Sequence, residues 1–224
     1  MKTTLSTLAL LTFFSLAVVS CKNKANEAVT SEAEAAAVSE PTSEKYIADV
    51  SASVIEWKGF KPTATHHGTV KLDTGTFQIT DGNIQSGTFL IDMKTITDLD
   101  LEGDMKNNLE AHLMGTVEGK EGDFFNVNLF PTGAFEVTGT EAIADGKINL
   151  SGNLTLKGIK HNVTFPATVT REGDTVTLTS DSFTIDRTKW GVNFGSKTVF
   201  DNLGDKFVND EIELKITVVA HKKA

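Results

Sequence analysis

The chain has 224 residues, a length that suits one large β-domain or two small ones. Hydrophobic residues make up 39% of the chain and charged residues 23%, a balance that excludes disorder throughout. A formal net charge of −9 offers no electrostatic footprint for nucleic acid, so we expect no nucleic-acid partner. Cys21 is the one cysteine of the chain, which excludes an internal disulfide.

The first twenty residues have the pattern of an export signal. Lys2 precedes an almost wholly apolar run, Leu8 to Val19, which is too short to cross a bilayer and is typical of a cleaved signal peptide. The run ends in Val18-Val19-Ser20-Cys21, which resembles the lipobox of bacterial lipoproteins. This predicts a signal peptide over residues 1–20 and an acylated Cys21 that anchors the protein to a membrane. The alternative is an ordinary secretory signal with a chance cysteine.

Residues 22–44 consist largely of Ala, Glu and Ser and include no aromatic residue. Such a stretch buries too little apolar surface to offset chain entropy, so it predicts a flexible tether with at most fleeting helix near residues 33–37. Lys22 rather than Asp follows the modified cysteine, which favours the outer membrane in the lipoprotein sorting pattern. The expected location is the bacterial cell envelope, on the periplasm-facing side.

Residues 45–222 alternate apolar and polar side chains with a period of two, repeated about eight times between turn signals. Asp81-Gly82 and Asp145-Gly146 are typical of hairpin turns. The pattern predicts an all-β domain. Eight antiparallel strands with an apolar inner face can close into a lipocalin-like barrel that holds a small ligand. A β-sandwich with a filled core is the alternative.

One segment has helical rather than strand spacing. Met105, Leu109 and Leu113 recur at intervals of four, Asp104 is a candidate N-cap, and Gly115 is a candidate C-terminal stop. We therefore expect one or two short helices inserted in the β-domain.

Five histidines and an acidic run raise the question of a metal or catalytic site. His66 and His67 are adjacent and face opposite sides of a strand, which leaves His67 with His112 as a possible metal pair. The run from Asp98 resembles the start of a calcium loop, but its twelfth position is Leu109 instead of a bidentate Glu. No nucleophile elbow, P-loop or dinucleotide fingerprint is present in the sequence. We expect a binding protein with no catalytic residues, no metal and no cofactor; a hydrolase or metal-dependent enzyme on the same barrel is the alternative.

Several stretches in order along residues 46–220 resemble the YceI-like family of lipid-binding, lipocalin-resembling periplasmic proteins. The most informative are Val54–Gly59 (VIEWKG), Gly87–Met93 (GTFLIDM), Gly152–Ile159 (GNLTLKGI) and Phe183–Gly191 (FTIDRTKWG). The chain departs from the family pattern at residues 115–122 (GTVEGKEG), which separate the His-Leu pair from Asp-Phe-Phe.

The resemblance implies an extended antiparallel eight-stranded β-barrel whose interior takes an isoprenoid chain, such as a quinone tail or a prenyl phosphate. Barrels of this kind often pair, so a homodimer is a further expectation. Fourteen Phe residues suit an apolar channel. Alternation assigns its lining to Ile55, Trp57, Phe89, Ile91, Phe135, Phe165, Phe183 and Trp190, with Leu109, Leu113, Phe124 and Phe125 covering an opening. At the mouth we expect His67 and His112 to bond a headgroup and Arg187 to supply a cation for it.

Overall fold

In the computed structural model, residues 25–223 are described. They contain twelve strands and one α-helix, with short 3-10 turns. The elements are β1 (Asn26–Glu27), β2 (Val29–Glu32), β3 (Glu44–Ala48), β4 (Val54–Lys61), β5 (Ala64–Thr80), β6 (Asn83–Asp98), α1 (Gly103–Met114), β7 (Thr132–Ala142), β8 (Ile148–Leu156), β9 (Ile159–Glu172), β10 (Thr175–Ser180), β11 (Phe183–Asp186) and β12 (Glu211–Lys222).

The strands form one sheet that closes on itself. Each strand from β4 to β10 pairs antiparallel with the next, β10 pairs with β12, and β12 returns to β4. Strand β3 shares the position of β4, because both pair with β5 and β12, while β11 extends the position of β10 along β12. The ring therefore has eight strand positions, and the expected eight-stranded antiparallel barrel is confirmed. Closure of the ring removes the exposed sheet edges of an open sheet.

Period-two alternation places the apolar side chains inside the ring. Ile55 on β4 lies opposite Val70 on β5 and Ile216 on β12. Both turns predicted from Asp-Gly pairs are present: Asp81 and Gly82 join β5 to β6, and Asp145 and Gly146 lie between β7 and β8, all with positive φ. Such left-handed conformations are the reason these residue types occupy tight turns.

Helix α1 lies between β6 and β7, at the place predicted from the sequence. It ends at Gly115, which adopts φ 68° as expected of a C-terminal glycine. The N-cap prediction is wrong: Glu102 is the N-cap, and Asp104 lies in the first turn. An acidic side chain in the first turn still interacts favourably with the helix dipole, which is why either position suits Asp.

The prediction of a flexible coil over residues 22–44 is wrong for residues 26–37, which we call the strap. Asn26 of β1 pairs in parallel with Phe183 of β11, and Val29 of β2 pairs antiparallel with Thr164 of β9. Within the part of the chain that the structure describes, β9 and β11 do not pair with each other, so the strap fills the wall between them. It is held by main-chain hydrogen bonds, a mode of strand addition that needs few apolar side chains.

The strap then crosses the outer face of the barrel. The main chain of Glu34 exchanges two hydrogen bonds with the Asn153 side chain, of 3.0 and 2.7 Å. The main-chain N–H of Ala37 donates to the carbonyl of Val137 at 2.9 Å. Asn153 points outward from β8 yet is only 2% exposed, because the strap covers it.

No helix within residues 25–223 combines the length and the apolarity that a membrane span requires. The predicted signal peptide over residues 1–20 and the predicted lipidation of Cys21 lie outside the described residues.

Candidate functional site: an apolar cavity inside the barrel

The barrel holds an apolar cavity in two adjacent parts. The larger part, the outer chamber, has a volume of about 250 Å³ and lies under α1, the loop after α1 and the segment after β11. The smaller part, the inner chamber, has a volume of about 70 Å³. Four side chains line both chambers, so the two lie next to each other: Ile55, Ile91, Leu154 and Leu214. Concave apolar sites with few polar groups are the usual form of small-ligand sites.

Helix α1 and the loop after it form one side of the outer chamber. Leu109 and Leu113 project from α1, and Phe124 and Phe125 project from the loop. Opposite them, Trp57 and Phe60 come from β4. Of the apolar residues whose spacing predicted α1, Leu109 and Leu113 thus lie on the cavity, whereas Met105 is 66% exposed.

A group of three rings covers this chamber. His112 lies edge-on to Phe124 at 5.0 Å and to Phe194 at 4.8 Å between ring centroids, and the two phenylalanines are 5.3 Å apart. Edge-to-face pairs of this kind contribute about 0.5–1.5 kcal/mol each beyond their buried area. The Nε2 atom of His112 is 2.7 Å from a carboxylate oxygen of Asp123, which orients the imidazole within the group.

Phenylalanines make up part of the wall of the inner chamber, together with leucine, isoleucine and valine side chains. The rings of Phe165 and Phe183 stack at 4.3 Å between centroids, with 3° between their planes. Phe135 packs directly on Gly152 of the neighbouring strand, where an added Cβ would lie 2.2 Å from its ring. This glycine lets the ring lie flat against the wall, which keeps the middle of the barrel open.

The structure brings most of the residues predicted as lining together around the cavity. Those in its walls are Ile55, Trp57, Phe89, Ile91, Leu109, His112, Leu113, Phe124, Phe125, Phe135, Phe165, Phe183 and Arg187. Trp190 is the exception among the aromatic residues. Its side chain is fully buried outside both chambers, and its indole N–H donates to the carbonyl of Leu154 at 3.0 Å, so the prediction that it lines the channel is wrong.

His67 also lies away from the cavity, contrary to prediction. The side chain of His67 is half-exposed, and its Nδ1 is 3.4 Å from a carboxylate oxygen of Asp100. The adjacent His66 is the one that reaches the outer chamber, because successive side chains of a strand point to opposite faces. His67 and His112 contact different carboxylates, Asp100 and Asp123, and do not form the metal pair considered from the sequence.

Arg187 borders the outer chamber but is not a free cation. Its guanidinium donates to the carbonyls of Val192, Phe194, Val208 and Asn209 at 2.6–3.0 Å and is 2% exposed. Burial lowers the pKa of Arg187, although nearby carboxylates act in the opposite direction. The expectation that it supplies a cation for a headgroup is wrong, because its donors hold the loop between β11 and β12 in place.

A polar cluster adjoins the outer chamber at His66. Nδ1 of His66 lies 2.9 Å from Asp100, whose second oxygen accepts the main-chain N–H of His67 at 2.7 Å. Burial acts to raise the pKa of Asp100, but hydrogen bonds from His67 and His66 outweigh it and lower that pKa.

Some cavity residues were not identified from the sequence. Ile212 and Leu214 are alternate residues of β12, so the alternation used for the other strands could have assigned them to the lining. Phe194 and Val208 belong to the irregular segment between β11 and β12, where no period indicates which side chains turn inward.

A closed eight-stranded antiparallel barrel with an apolar interior defines a lipocalin-like class of fold. Residues 46–220 match the YceI-like domain family, and the chain belongs to that family. A comparison with curated proteins returns no match.

Two solved structures have a fold similar to that of this chain. Burkholderia cenocepacia BcnA aligns with a TM-score of 0.59 and 23% identity, over 77% of this chain and 98% of that chain. A polyisoprenoid-binding domain from Saccharophagus degradans, implicated in plant cell wall breakdown, aligns with a TM-score of 0.56 and 13% identity, over 80% and 98%. At these identities the similarity establishes the shared fold.

Proposed function

We propose that this protein binds an isoprenoid-type lipid in its barrel cavity and sequesters or carries it without catalysing a reaction. The observation that carries the proposal is the pair of neighbouring apolar chambers inside the barrel, whose walls share Ile55, Ile91, Leu154 and Leu214. Two neighbouring apolar chambers suit a linear chain that extends through both better than a compact ligand. The polyisoprenoid-binding domain with the same fold supports this ligand class.

Transfer of apolar surface out of water supplies the free energy of binding. Each Å² of apolar surface removed from water contributes about 25 cal/mol, so a chain of several isoprene units binds without any catalytic group. The inner chamber is lined by aromatic and aliphatic side chains, which suits the tail. Polar groups such as Lys61, His66 and Glu211 border the outer chamber, where a headgroup would lie.

The test is to purify the chain from residue 22 onward out of bacteria, extract it with organic solvent, and identify the extract by mass spectrometry. The chain must retain the strap, because residues 26–32 fill part of the barrel wall. We expect a stoichiometric isoprenoid quinone or prenyl phosphate. Folded protein that yields no such lipid, and takes up none when incubated with a quinone, would contradict the proposal.

A cavity-blocking variant makes this test specific. Leu154 lines both chambers, so Leu154→Trp places a larger side chain at their junction. We expect the bound lipid to fall at least tenfold, while overpacking costs about 1–3 kcal/mol of stability. Leu129→Trp, at a side chain that is 67% exposed, is the matched control and should retain the lipid. Equal lipid in both variants would place the binding site outside the barrel.

We also propose that Cys21 is acylated and tethers the protein to the envelope, on its outer membrane and facing the periplasm. The support is the lipobox-like Val18-Val19-Ser20-Cys21 and the following Lys22. Two or more acyl chains hold a protein firmly, whereas one gives only marginal binding. Cells fed labelled palmitate should label the wild-type chain but not Cys21→Ser, which should leave the membrane fraction. Membrane retention of the unlabelled variant would contradict the anchor.

A further inference from the structure

A carboxylate with one buried, unpartnered oxygen lies beside the outer chamber. Asp98, at the end of β6, is 0% exposed. Its Oδ1 accepts the main-chain N–H groups of Asp100 and Leu101 at 3.2 and 2.7 Å. Its Oδ2 is buried with no hydrogen-bond partner. A buried carboxylate oxygen without a donor is costly, and such sites require a proton or a cation.

The only other such atom among the described residues is Oδ1 of Asp210, which has Arg187 at 3.6 Å. Among the same residues, Oδ2 of Asp98 has no such basic side chain beside it. The nearest lysine, Lys106, donates to the main-chain carbonyl of Asp98 and pairs with Glu110 at 3.0 Å. The carboxylate of Asp98 is therefore left without a cationic side chain, although the oxygen is fully enclosed.

Two further ligand atoms converge on this carboxylate. His66, Asp98 and Asp100 each offer an atom that lies within 4.8 Å of the atoms of the other two. Ligand atoms around a tetrahedral zinc ion, with bonds of about 2.0–2.2 Å, are roughly 3.4 Å apart, so small side-chain shifts would complete the geometry. In the described part of the chain this is the one such group of three.

Formal charge favours a divalent ion. The cluster and its neighbours bring together three carboxylates, of Asp98, Asp100 and Glu110, and one ammonium group, of Lys106. Their formal charge of −2 would be balanced by one divalent cation. A mixed imidazole and carboxylate set suits zinc and its neighbours, whereas calcium prefers six to eight oxygen ligands.

We propose that His66, Asp98 and Asp100 bind a divalent transition-metal ion of the zinc class at the edge of the outer chamber. Three protein ligands leave at least one coordination position for water or a ligand. His66 belongs both to this cluster and to the chamber wall, so the ion would lie beside the headgroup region. The site does not depend on lipid binding and is tested separately from it.

The experiment is calorimetric titration of zinc chloride into the mature chain carrying Cys21→Ser, after removal of bound metal with a chelator. We expect one zinc ion per chain. Asp98→Asn and His66→Gln should each weaken binding at least tenfold. His221→Gln is the matched control, because His221 lies 3.8 Å from an aspartate, Asp49, but outside the cluster. The His221→Gln protein should bind zinc with the same affinity as the parent.

A stability measurement separates loss of the site from loss of the fold. Without metal, Asp98→Asn should be at least as stable as the parent, since it removes a buried carboxylate charge. Added zinc should raise the melting temperature of the parent and of His221→Gln, but not of Asp98→Asn. Zinc binding of equal strength in Asp98→Asn and the parent, or no binding to the parent, would overturn the proposal.

Discussion

At the residue scale, Arg187 shows that one side chain is compatible with two roles, binding a headgroup and holding a loop in place. An arginine beside a tryptophan near a cavity mouth is typical of a headgroup ligand. Its actual surroundings are four main-chain carbonyls from residues 192–209, an irregular segment whose path has no period in the sequence. The identity of a residue can be read from sequence, but the acceptors that a loop folds around it cannot.

The structural role of Arg187 predicts a specific cost for a conservative change. Arg187→Lys keeps the charge but cannot reach four carbonyls with one ammonium group, which leaves buried acceptors without donors. We expect it to lower the free energy of unfolding by about 2–4 kcal/mol in urea denaturation. Lys189→Ala, at an exposed neighbour, is the control and should change it by less than about 0.5 kcal/mol. An Arg187→Lys protein of unchanged stability that binds lipid weakly would restore the headgroup role.

At the element scale, strands with one buried face could be predicted, and the strap could not. Phe89 and Ile91 on β6, like Leu154 on β8, alternate with polar neighbours because each strand has an inner and an outer face. The strap has no such pattern, since Val29 is 69% exposed and the main chain makes most of its contacts. Amino-acid composition reflects only the side chains. A strand that is held by main-chain hydrogen bonds is therefore predicted as coil.

One side chain of the strap is nevertheless buried, and it provides a test. Ala28 is 5% exposed, between the segments that pair with β11 and β9. Ala28→Asp should lower the free energy of unfolding by about 2–4 kcal/mol, because a carboxylate would be buried there without a partner. Val38→Asp, at a position that is 91% exposed, is the control with the same introduced charge. Equal unfolding curves for the two variants would mean that the strap does not dock on the barrel.

At the scale of the whole molecule, closure of the barrel brings together a charged cluster whose residues are far apart in sequence. Glu44 on β3 contacts Lys222 on β12 at 2.5 Å, Arg171 on β9 at 3.1 Å and the hydroxyl of Tyr46 at 3.2 Å. Alternation and turns predicted about eight antiparallel strands, and the family resemblance implied that they close into a barrel. The partners of Glu44 could not be predicted, because they meet only once the ring has closed.

This cluster predicts a pH dependence of stability. The hydrogen bond from Lys222 lowers the pKa of Glu44, helped by Tyr46 and Arg171 and opposed by desolvation. A lowered pKa means that the folded state binds fewer protons than the unfolded state. The stabilisation is therefore present above the ordinary Glu pKa of about 4.3 and is lost as pH falls through the lowered pKa.

The measurement is urea denaturation of the wild type and Glu44→Gln at a series of pH values from neutral to acidic. Glu44→Gln should be less stable than the wild type at pH 7, and the difference should shrink as Glu44 becomes protonated below about pH 4.3. Glu118→Gln, at an exposed glutamate in the loop after α1, should follow the wild-type curve throughout. A constant difference between Glu44→Gln and the wild type at every pH would show that the carboxylate charge plays no part, and that the loss at pH 7 comes from packing alone.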